Sequence, residues 1–457
     1  MAFTLGEITE AVGGTLLAGA GSRRVSGVST DTRHIRRNQL FVAVKGDNFD
    51  GHDFLAQAAA QGATALLVSR KDRVFPAGAA VIWAEDTVRA LGHIARHHRL
   101  RFHIPVVAVT GSAGKTSTKE MIAAVLRQKY RVLFNRGTEN NHMGVPLTLL
   151  KLSRRYDMAV IEMGTNHPGE IAWLGEIACP TAAVFTNVGA SHLEGLGSPE
   201  GVFKEKAALI RFLPDDGCVI LNADDPYWRR LLKKALSQTV LSYGIDANAD
   251  VKASSLKMDA RGIHVMMPSG EGFSLKSPSP GGVANALAAV ACGNFFGVPR
   301  ARAIEALGRL KPAKGRQCLL QAGGVTIIDD TYNANPVSYT NALKALDMMD
   351  VRGRVVMAAA DMLELGERSD ALHRAAGEAA AAARVDALFT CGEKARLIGD
   401  GARAVRASLD VRHFDGQASL SQALKDYLRP GDVFLAKGSR GMRMEKVVHD
   451  VAGFLKG

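Results

Sequence analysis

The middle of the chain alternates short apolar runs with helical patterns, and Gly, Asn or Asp follows each run. Alternation of this kind is typical of βαβ units on a mainly parallel sheet. A hairpin-like stretch at 240–275 and helical segments at 284–296 and 300–310 come next. The runs that predict strands are 106–109, 158–163, 182–187 and 218–222.

The flanking segments also have α/β patterns. Residues 1–85 carry β-like runs at 40–44 and 65–68 and a helix-like 53–61, which predicts a small α/β domain. From 312 onward, strand-like runs alternate with helices, including an Ala-rich one at 371–384, which predicts a doubly wound domain. These runs are 325–329, 354–359, 387–390 and 432–436. We therefore expect an α/β protein of three domains at 1–85, 86–311 and 312–457.

Composition narrows the class of protein. With 47% hydrophobic and 22% charged residues, the chain has the apolar material of a folded protein rather than a disordered one. Its longest apolar stretches run to about ten residues, roughly half of a membrane span. The start of the chain lacks the features of a signal peptide, so a cytoplasmic protein is expected. Five scattered cysteines without a C-x-x-C pair favour neither a thiolate metal site nor a disulfide framework.

The net charge of +12 suits an anionic partner. Because the basic residues are dispersed, phosphorylated small substrates are a better expectation than nucleic acid. Polar residues also follow the predicted strands, and ligands of open parallel sheets bind beyond the carboxyl ends of strands. Two such domains facing each other would form a cleft.

The most informative motif is a strand, a Gly-rich loop and a helix at 106–128. A loop of this kind surrounds phosphate oxygens with backbone N–H groups at a helix N-terminus. Lys115 would meet the terminal phosphates, and the Thr116 hydroxyl would bind Mg²⁺. Val109 holds the first glycine position of the usual motif, and no guanine-reading element is present, so ATP is favoured. The predicted ATP-binding residues here are Thr110, Gly111, Ser112, Ala113, Gly114, Lys115, Thr116 and Ser117.

Other polar residues at strand ends are open to two interpretations. Glu162 ends an apolar run and could bind Mg²⁺, whereas His192 could equally be a hydrogen-bonded structural residue. Residues 202–209 predict an amphipathic helix, and spacing alone predicts that Lys204 and Lys206 face solvent. Two polar loops, 329–336 and 437–441, follow strands of the last domain. A plain turn would not need so many polar groups, so a functional role is favoured for both loops.

In this order, the motifs resemble those of the Mur ligases of peptidoglycan synthesis, over essentially the whole chain. The loop at 110–116 has the form of the whole superfamily. The segments 140–150, 329–336, 361–366 and 437–445 resemble one branch, which joins D-alanyl-D-alanine to UDP-N-acetylmuramoyl-tripeptide. The resemblance implies an N-terminal uridine-nucleotide domain, a central ATPase and a C-terminal Rossmann-like domain.

The resemblance also implies roles for individual residues. Lys115, His192 and Lys206 would be catalytic, with Lys206 converted by CO₂ into a carbamate. Two Mg²⁺ ions would be held by Thr116, Glu162, His192 and carbamylated Lys206. Further ATP contacts would come from Asn285, Arg316, Asp330 and Asn333. Substrate contacts would come from Ser29, Thr30, Asp31, Arg33, Lys45, Gly46, Asp50, His52, Asn140, Asn141 and Asn335.

The chain departs from the family pattern at two places. Gly281-Gly282 stand where the family usually has His-Asn, and Thr138 stands where Asn is common. The expected protein is a cytoplasmic, monomeric, ATP-dependent amide ligase that works through an acyl phosphate, without nucleic acid or a membrane span. The alternatives are a sister ligase that adds a single amino acid, a non-ligating ATP-dependent switch, and a nucleic-acid-dependent NTPase.

Overall fold

The computed structural model describes residues 3–46, 49–259 and 262–457. Asp47 and Asn48, within the predicted uridine region, lie outside the described residues, as do Met1 and Ala2 of the first predicted domain. Two residues of the hairpin-like stretch, 260 and 261, are also outside them. The chain forms two compact units, the first comprising Met1–Ala108, Tyr130–Gly164 and Glu170–Thr181, and the second Val109–Lys129, Thr165–Gly169 and Ala182–Gly457.

The first unit contains a five-stranded sheet whose strands are parallel except at one edge. The sheet order is Thr15–Ala18, Ala80–Trp83, Ala63–Val68, Gln39–Val42, Gly27–Ser29, with the first pair antiparallel. Its central strands are apolar almost throughout because helices and loops bury both faces. The other strands are Phe3–Thr4, Arg24–Val25, Val132–Phe134 and Met158–Glu162. The α-helices are Leu5–Ala11, Leu55–Ala60, Thr87–Arg99, Gly144–Leu149 and Glu170–Ala178, and the 3₁₀-helices are Thr32–His34 and Gly51–Phe54.

The strand Val106–Thr110 leads from the first unit into the second. Up to residue 310, the second unit has a parallel row of strands and an antiparallel three-stranded meander. The parallel strands are Ala182–Phe185, Cys218–Asn222, Thr239–Gly244 and Val251–Lys252, in that order. The meander consists of Ser255–Asp259, Gly262–Met266 and Gly272–Leu275. The helices are Lys115–Leu126, Leu193–Leu196, Pro199–Ala207, Ala208–Phe212 (3₁₀), Pro226–Leu232, Pro280–Phe295 and Arg300–Arg309.

Several helices of the second unit begin with the same two-residue signal. A side chain accepts a hydrogen bond from a backbone N–H of the first turn, and Pro follows at the first helical position. Proline suits this position because its φ angle is already helical and no N–H is needed there. The pairs are Ser198-Pro199, Asp225-Pro226, Ser279-Pro280 and Asn335-Pro336.

The C-terminal part is a six-stranded sheet with helices on both faces. The sheet order is Cys318–Ala322, Val325–Asp330, Val433–Lys437, Val355–Ala360, Ala387–Cys391, Asp410–Phe414, with only the first pair antiparallel. Consecutive residues of Val355–Ala360 enter two different cores, as expected for a strand buried on both faces. The helices are Pro336–Asp347, Ser369–Ala382, Ala395–Val405, Gln417–Tyr427 and Glu445–Leu455, with 3₁₀-helices Gly366–Arg368 and Arg440–Met442.

The two polar loops of this sheet leave it from neighbouring strands. In the parallel register between Val325–Asp330 and Val433–Lys437, Asp330 lies opposite Lys437. The loops that follow these two residues therefore begin side by side.

The structure confirms the α/β class and the mainly parallel sheets, and it corrects one segment. The stretch 240–275 is not hairpin-like throughout, because Thr239–Gly244 and Val251–Lys252 pair in parallel. Antiparallel pairing begins only at Ser255–Asp259. Within the described part of the chain, every helix is too short or too polar to cross a membrane.

Candidate active site

The Gly-rich loop at residues 110–115 is called here the phosphate loop. It joins the strand Val106–Thr110 to the helix Lys115–Leu126. The loop needs glycine at position 114 for two reasons. Gly114 has φ of +80°, which L side chains rarely adopt. A Cβ atom built there would also lie 2.6 Å from Asn285 Oδ1. Asn285, predicted to contact ATP, therefore lies directly against the loop. Lys115 Nζ donates a hydrogen bond to the Gly111 carbonyl oxygen, 2.8 Å away, so its amine lies over the loop.

A second segment, residues 186–192, holds the phosphate loop in place. The Ser112 N–H donates to the Asn187 backbone oxygen, and the Ala113 N–H donates to Asn187 Oδ1, each over 2.8 Å. Asn187 Nδ2 donates in turn to the Ala113 oxygen over 3.2 Å. The Ser191 hydroxyl donates to that of Ser112 over 2.9 Å. Two of the N–H groups expected to meet phosphate are thus bonded to Asn187, a residue to which sequence reasoning assigned no role.

The 186–192 segment is itself fixed by the next strand and helix. Asn222 Nδ2 donates to the Thr186 carbonyl oxygen over 2.9 Å. The Val188 N–H donates to Asp225 Oδ2 over 2.8 Å, and the same carboxylate caps the helix Pro226–Leu232. Burial raises the pKa of Asp225, while these backbone hydrogen bonds act in the opposite direction. The phosphate loop is therefore positioned by residues more than 70 positions away along the chain.

Glu162 lies in the first unit, at the end of Met158–Glu162, and its side chain is held by Asn140. Asn140 Nδ2 donates to Glu162 Oε1 over 2.7 Å. Asn135 bonds both the N–H and the C=O of Glu162. Asn141 Oδ1 accepts hydrogen bonds from the N–H groups at the start of the helix Gly144–Leu149. The two asparagines that the resemblance assigned to substrate thus orient Glu162 and cap a helix.

Lys206 is fully buried, and within the described residues its Nζ has no hydrogen-bond partner. Burial lowers the pKa of the Lys206 amine well below its usual range, and the positive charge of Lys115 lowers it further. Lys204, two positions earlier on the same helix, is exposed. The prediction from spacing that both lysines face solvent is therefore wrong for Lys206, because its face of Pro199–Ala207 packs inward.

His192 contacts a residue that sequence reasoning did not assign. Its Nδ1 lies 2.8 Å from Glu364 Oε2, in the segment 361–366 that follows the strand Val355–Ala360. The hydrogen bond from His192 is the main cause that lowers the pKa of the Glu364 carboxyl. Only the resemblance had drawn attention to 361–366, and without a role for any of its residues.

The two polar loops of the C-terminal sheet share a buried ion pair. Lys437 Nζ lies 2.7 Å from Asp330 Oδ2 and also donates to the Asn333 carbonyl oxygen over 3.2 Å. Burial raises the pKa of Asp330, and the Lys437 charge opposes that rise. Beside them, the Arg316 guanidinium lies over the Tyr332 ring, 4.0 Å from its centroid. Three of the residues predicted to bind ATP (Arg316, Asp330, Asn333) therefore belong to one cluster.

Asn335 connects this cluster to the phosphate loop. Its Oδ1 accepts from the Ser338 N–H at the start of the helix Pro336–Asp347, and its Nδ2 donates to the Ser112 carbonyl oxygen over 3.4 Å. Gly189 also lies against the same helix, because a Cβ atom there would collide with the Val337 side chain. Asn335, predicted as a substrate contact, thus links the helix and the phosphate loop.

The predicted uridine residues lie in the first unit, mostly on its surface. Asp31 caps a 3₁₀-helix and pairs with Arg33 over 2.8 Å, and this hydrogen bond holds the pKa of Asp31 at about 2. His52 differs, since it is buried and uses both ring nitrogens internally, with Asp50 at 2.6 Å and the Ser69 N–H at 3.0 Å. The remaining residues lie at or near the ends of strands: Ser29, Thr30, Lys45 and Gly46.

Three protein-family models match this chain in succession. The Mur ligase family catalytic domain matches residues 24–99, the Mur ligase middle domain matches 109–293, and the Mur ligase glutamate ligase domain matches 315–440. The chain belongs to the Mur ligase family. As a member, it is an enzyme that forms amide bonds. The matched ranges follow the order of the three predicted domains, whose boundaries remain predictions.

The relatives of this Mur ligase match it from end to end. The UDP-N-acetylmuramoyl-tripeptide–D-alanyl-D-alanine ligase of Escherichia coli strain K12 is 40% identical over 453 residues, 97% of each chain. The enzyme of the same name from Bacillus subtilis strain 168 is 37% identical over 451 residues, 98% of each. The sequence resemblance to one branch of the family is thus confirmed.

Solved structures of similar proteins also cover the chain. A crystal structure of MurF from Acinetobacter baumannii matches with a TM-score of 0.90 at 30% identity, covering 99% of both chains. MurF of Thermotoga maritima, solved in complex with ADP, matches with a TM-score of 0.85 at 29% identity, covering 94% of this Mur ligase and 98% of that chain. The three-domain α/β architecture expected from the sequence is therefore confirmed.

Proposed function

We propose that this Mur ligase joins D-alanyl-D-alanine to UDP-N-acetylmuramoyl-tripeptide at the expense of ATP, in the synthesis of peptidoglycan precursors. The observation that carries the proposal is the end-to-end match to relatives of that name at 37% and 40% identity. The site supports it, because the phosphate loop and the loops after Asp330 and Lys437 that mark this branch lie in one compact unit. The Asn335 contact with Ser112 links them directly.

The proposed reaction has two steps. The γ-phosphoryl group of ATP moves to the carboxylate of the tripeptide and gives an acyl phosphate and ADP, since a carboxylate alone has no adequate leaving group. The amine of D-alanyl-D-alanine then attacks the acyl carbon, phosphate leaves, and the nitrogen loses a proton. Lys115 would offset negative charge on the transferring phosphoryl group, with its amine held over the phosphate loop.

The residues present fit the Mg²⁺ ions that the family implies. Glu162 and Thr116 offer hard oxygen donors of the kind that Mg²⁺ prefers, and His192 offers an imidazole nitrogen. No group of three or more His, Cys, Asp or Glu side chains suited to a metal occurs in the described part of the chain. Mg²⁺ commonly keeps waters and substrate phosphates as ligands, so it needs few protein side chains. When bound, Mg²⁺ neutralises charge on the phosphates.

Lys206 is the residue that we propose to complete the metal site as a carbamate. CO₂ adds to the nitrogen of a neutral amine, the amine loses a proton, and a carbamate anion forms. A free lysine with a pKa near 10.4 is almost wholly charged at neutral pH. Burial and the Lys115 charge favour the neutral amine at Lys206. The buried nitrogen without a hydrogen-bond partner is consistent with a position built for the modified side chain.

The experiment that tests the proposed function is phosphate release from ATP in mixtures that omit one component at a time. We expect release only with ATP, UDP-N-acetylmuramoyl-tripeptide and D-alanyl-D-alanine together, and an amide product of matching mass. A single D-alanine should be used far less well, because it forfeits contacts worth about 0.5 to 1.5 kcal/mol per hydrogen bond. Equal use of a free amino acid would instead identify a sister ligase, and release without either substrate would identify a switch.

A further inference from the structure

Two loops from different parts of the second unit meet at His192 and Glu364. His192 follows the strand Ala182–Phe185, and Glu364 follows Val355–Ala360 in the C-terminal sheet. Their side chains approach to 2.8 Å between His192 Nδ1 and Glu364 Oε2. The histidine side chain is 21% exposed, so most of its ring is enclosed by protein.

Both residues have a backbone conformation that side-chain-bearing residues rarely adopt. The φ angle is +51° at His192 and +64° at Glu364. Such left-handed conformations are strained and persist only where the surroundings enforce them. Both ends of this side-chain contact therefore have backbone conformations that the surrounding structure imposes.

The surroundings enforce these conformations from both sides. The His192 carbonyl oxygen accepts from the N–H groups of Gly195 and Leu196, which starts the short helix Leu193–Leu196. On the other side, the Leu363 N–H donates to Ser439 Oγ over 2.9 Å. The two loops also touch through their backbones, because a Cβ atom at Gly366 would lie 3.3 Å from Glu194 Cα.

The contact selects one form of the histidine ring. A carboxylate oxygen 2.8 Å from Nδ1 favours the tautomer in which Nδ1 carries the proton, because the negative charge attracts the N–H group. The lone pair is then on Nε2, the other ring nitrogen, where a metal ion can bind. A carboxylate behind a metal-binding histidine both fixes the tautomer and raises the basicity of the ring.

We propose that Glu364 is a positioning residue for His192, fixing its tautomer and orientation so that Nε2 binds the Mg²⁺ ion. This inference rests on the proposed function, which gives His192 the role of a metal ligand. It adds that a residue of the C-terminal sheet takes part in forming the metal site. Glu364 itself does not touch the reacting atoms.

The test compares Glu364→Ala, Glu364→Gln and a matched control, Glu367→Ala. Glu367 is exposed on the neighbouring 3₁₀-helix Gly366–Arg368, so its loss removes an equal charge without touching His192. The first readout is ¹⁵N NMR of the histidine rings in the metal-free protein. The chain has 13 histidines, so the His192 signals are assigned by their loss in His192→Gln. We expect the Nδ1-protonated form in the wild type and in Glu367→Ala, and a mixture of tautomers in Glu364→Ala.

The second readout is the affinity for Mn²⁺, used as a probe for Mg²⁺, measured by electron paramagnetic resonance in the presence of ADP. Glu364→Ala should weaken Mn²⁺ binding by about 10-fold to 100-fold, the usual cost of losing such a partner. The Mn²⁺ affinity of Glu364→Gln should lie between those of the wild type and Glu364→Ala, because the Gln amide oxygen can still accept a hydrogen bond from the His192 Nδ1–H. Glu367→Ala should bind Mn²⁺ as the wild type does.

Each result decides a different point. If His192 keeps the wild-type tautomer in Glu364→Ala, the inference is overturned. It is also overturned if Glu364→Ala binds Mn²⁺ like the wild type while His192→Gln binds Mn²⁺ more weakly. Unchanged affinity in both variants removes His192 from the metal site, and the inference fails with it. Failure of the wild-type enzyme to ligate D-alanyl-D-alanine would overturn the proposed function, whereas the tautomer measurement is independent of turnover.

Discussion

The phosphate loop and the predicted uridine region differ in how the rest of the molecule holds them. Thr110 and Ser112 of the phosphate loop are buried, and each accepts a hydrogen bond from the 186–192 segment, more than 70 residues away. In the uridine region, the Arg33 side chain is 79% exposed, and its partner Asp31 is two residues away. The phosphate loop is thus fixed by long-range contacts, whereas the turn at 29–33 in the uridine region is held by local ones.

This difference teaches where a substitution should change the reaction and where it should change only binding. Long-range hydrogen bonds hold a buried loop in one position, which matters because a misplacement of about 1 Å can cost about 100-fold in rate. Surface side chains with local partners are free to adjust to a ligand, and each contributes modestly. The three predictions below test the contrast, starting with the largest expected effect.

The largest effect is expected at Lys206. Lys206→Ala should reduce the rate of ligation by about 100-fold or more, because it removes the carbamate that would hold a Mg²⁺ ion against the charge of the phosphates. Acetate or formate should restore part of that activity by occupying the position of the carbamate. Initial rates with and without about 50 to 200 mM acetate measure both effects. These concentrations are roughly ten-fold and more above the Kd of a weakly bound acetate ion.

Lys204→Ala is the control, since Lys204 lies on the exposed side of the same helix. It should ligate like the wild type and show no response to acetate. Full activity in Lys206→Ala, or equal loss in Lys204→Ala, would contradict a carbamate at Lys206.

An intermediate effect is expected at Asn187, whose side chain bonds both the N–H and the C=O of Ala113. Asn187→Ala removes two hydrogen bonds of about 0.5 to 1.5 kcal/mol each, so the KM for ATP should rise by about 10-fold. The KM for the uridine nucleotide should not change. Asn187→Asp keeps the oxygen that accepts from Ala113 and should recover part of the affinity, as measured by titration with ADP. Equal rises in both KM values would show a general loss of structure instead.

The smallest effect on catalysis is expected at Arg33. Arg33→Ala should raise the KM for UDP-N-acetylmuramoyl-tripeptide by about three-fold to ten-fold, as for one solvent-exposed charge-assisted contact. Neither kcat nor the melting temperature should change. His52→Ala should behave in the opposite way and lower the melting temperature by about 2 to 4 °C, since the partly buried Asp50 and Ser69 groups lose their partner. If Arg33→Ala raised the KM for ATP as strongly as Asn187→Ala does, the contrast between the two regions would be wrong.

The sequence predicted those parts of the fold in which burial imposes a strong pattern. Strands such as Cys218–Asn222 are apolar throughout because both faces are covered, and they were located to within about two residues. Edge strands such as Cys318–Ala322 and Asp410–Phe414 went unpredicted, because a partly exposed strand needs few apolar residues. The parallel pairing of Thr239–Gly244 was missed for a different reason, since pairing direction depends on the chain path.

The candidate site was predictable where one short motif carries the chemistry, as at Lys115. It was not predictable where the partner is remote in sequence. Nothing near Asn187 indicates that its amide bonds Ala113, and nothing near Glu364 indicates that it contacts His192. Burial of Lys206 was hidden for a related reason, because the spacing of a single helix does not show what packs against each of its faces.

The pairing of Asp330 with Lys437 also determines how the C-terminal loops tolerate insertions. The two residues lie opposite each other in the sheet and form a 2.7 Å ion pair. Both loops therefore start from the same paired position of the two strands. Adding or removing one residue within either strand would turn its later side chains to the other face of the sheet. The lengths of Val325–Asp330 and Val433–Lys437 are thus constrained more tightly than the identities of most of their residues. Loop libraries that redirect this ligase to other amines should therefore vary residues beyond 330 and 437, and leave both strands at their present length.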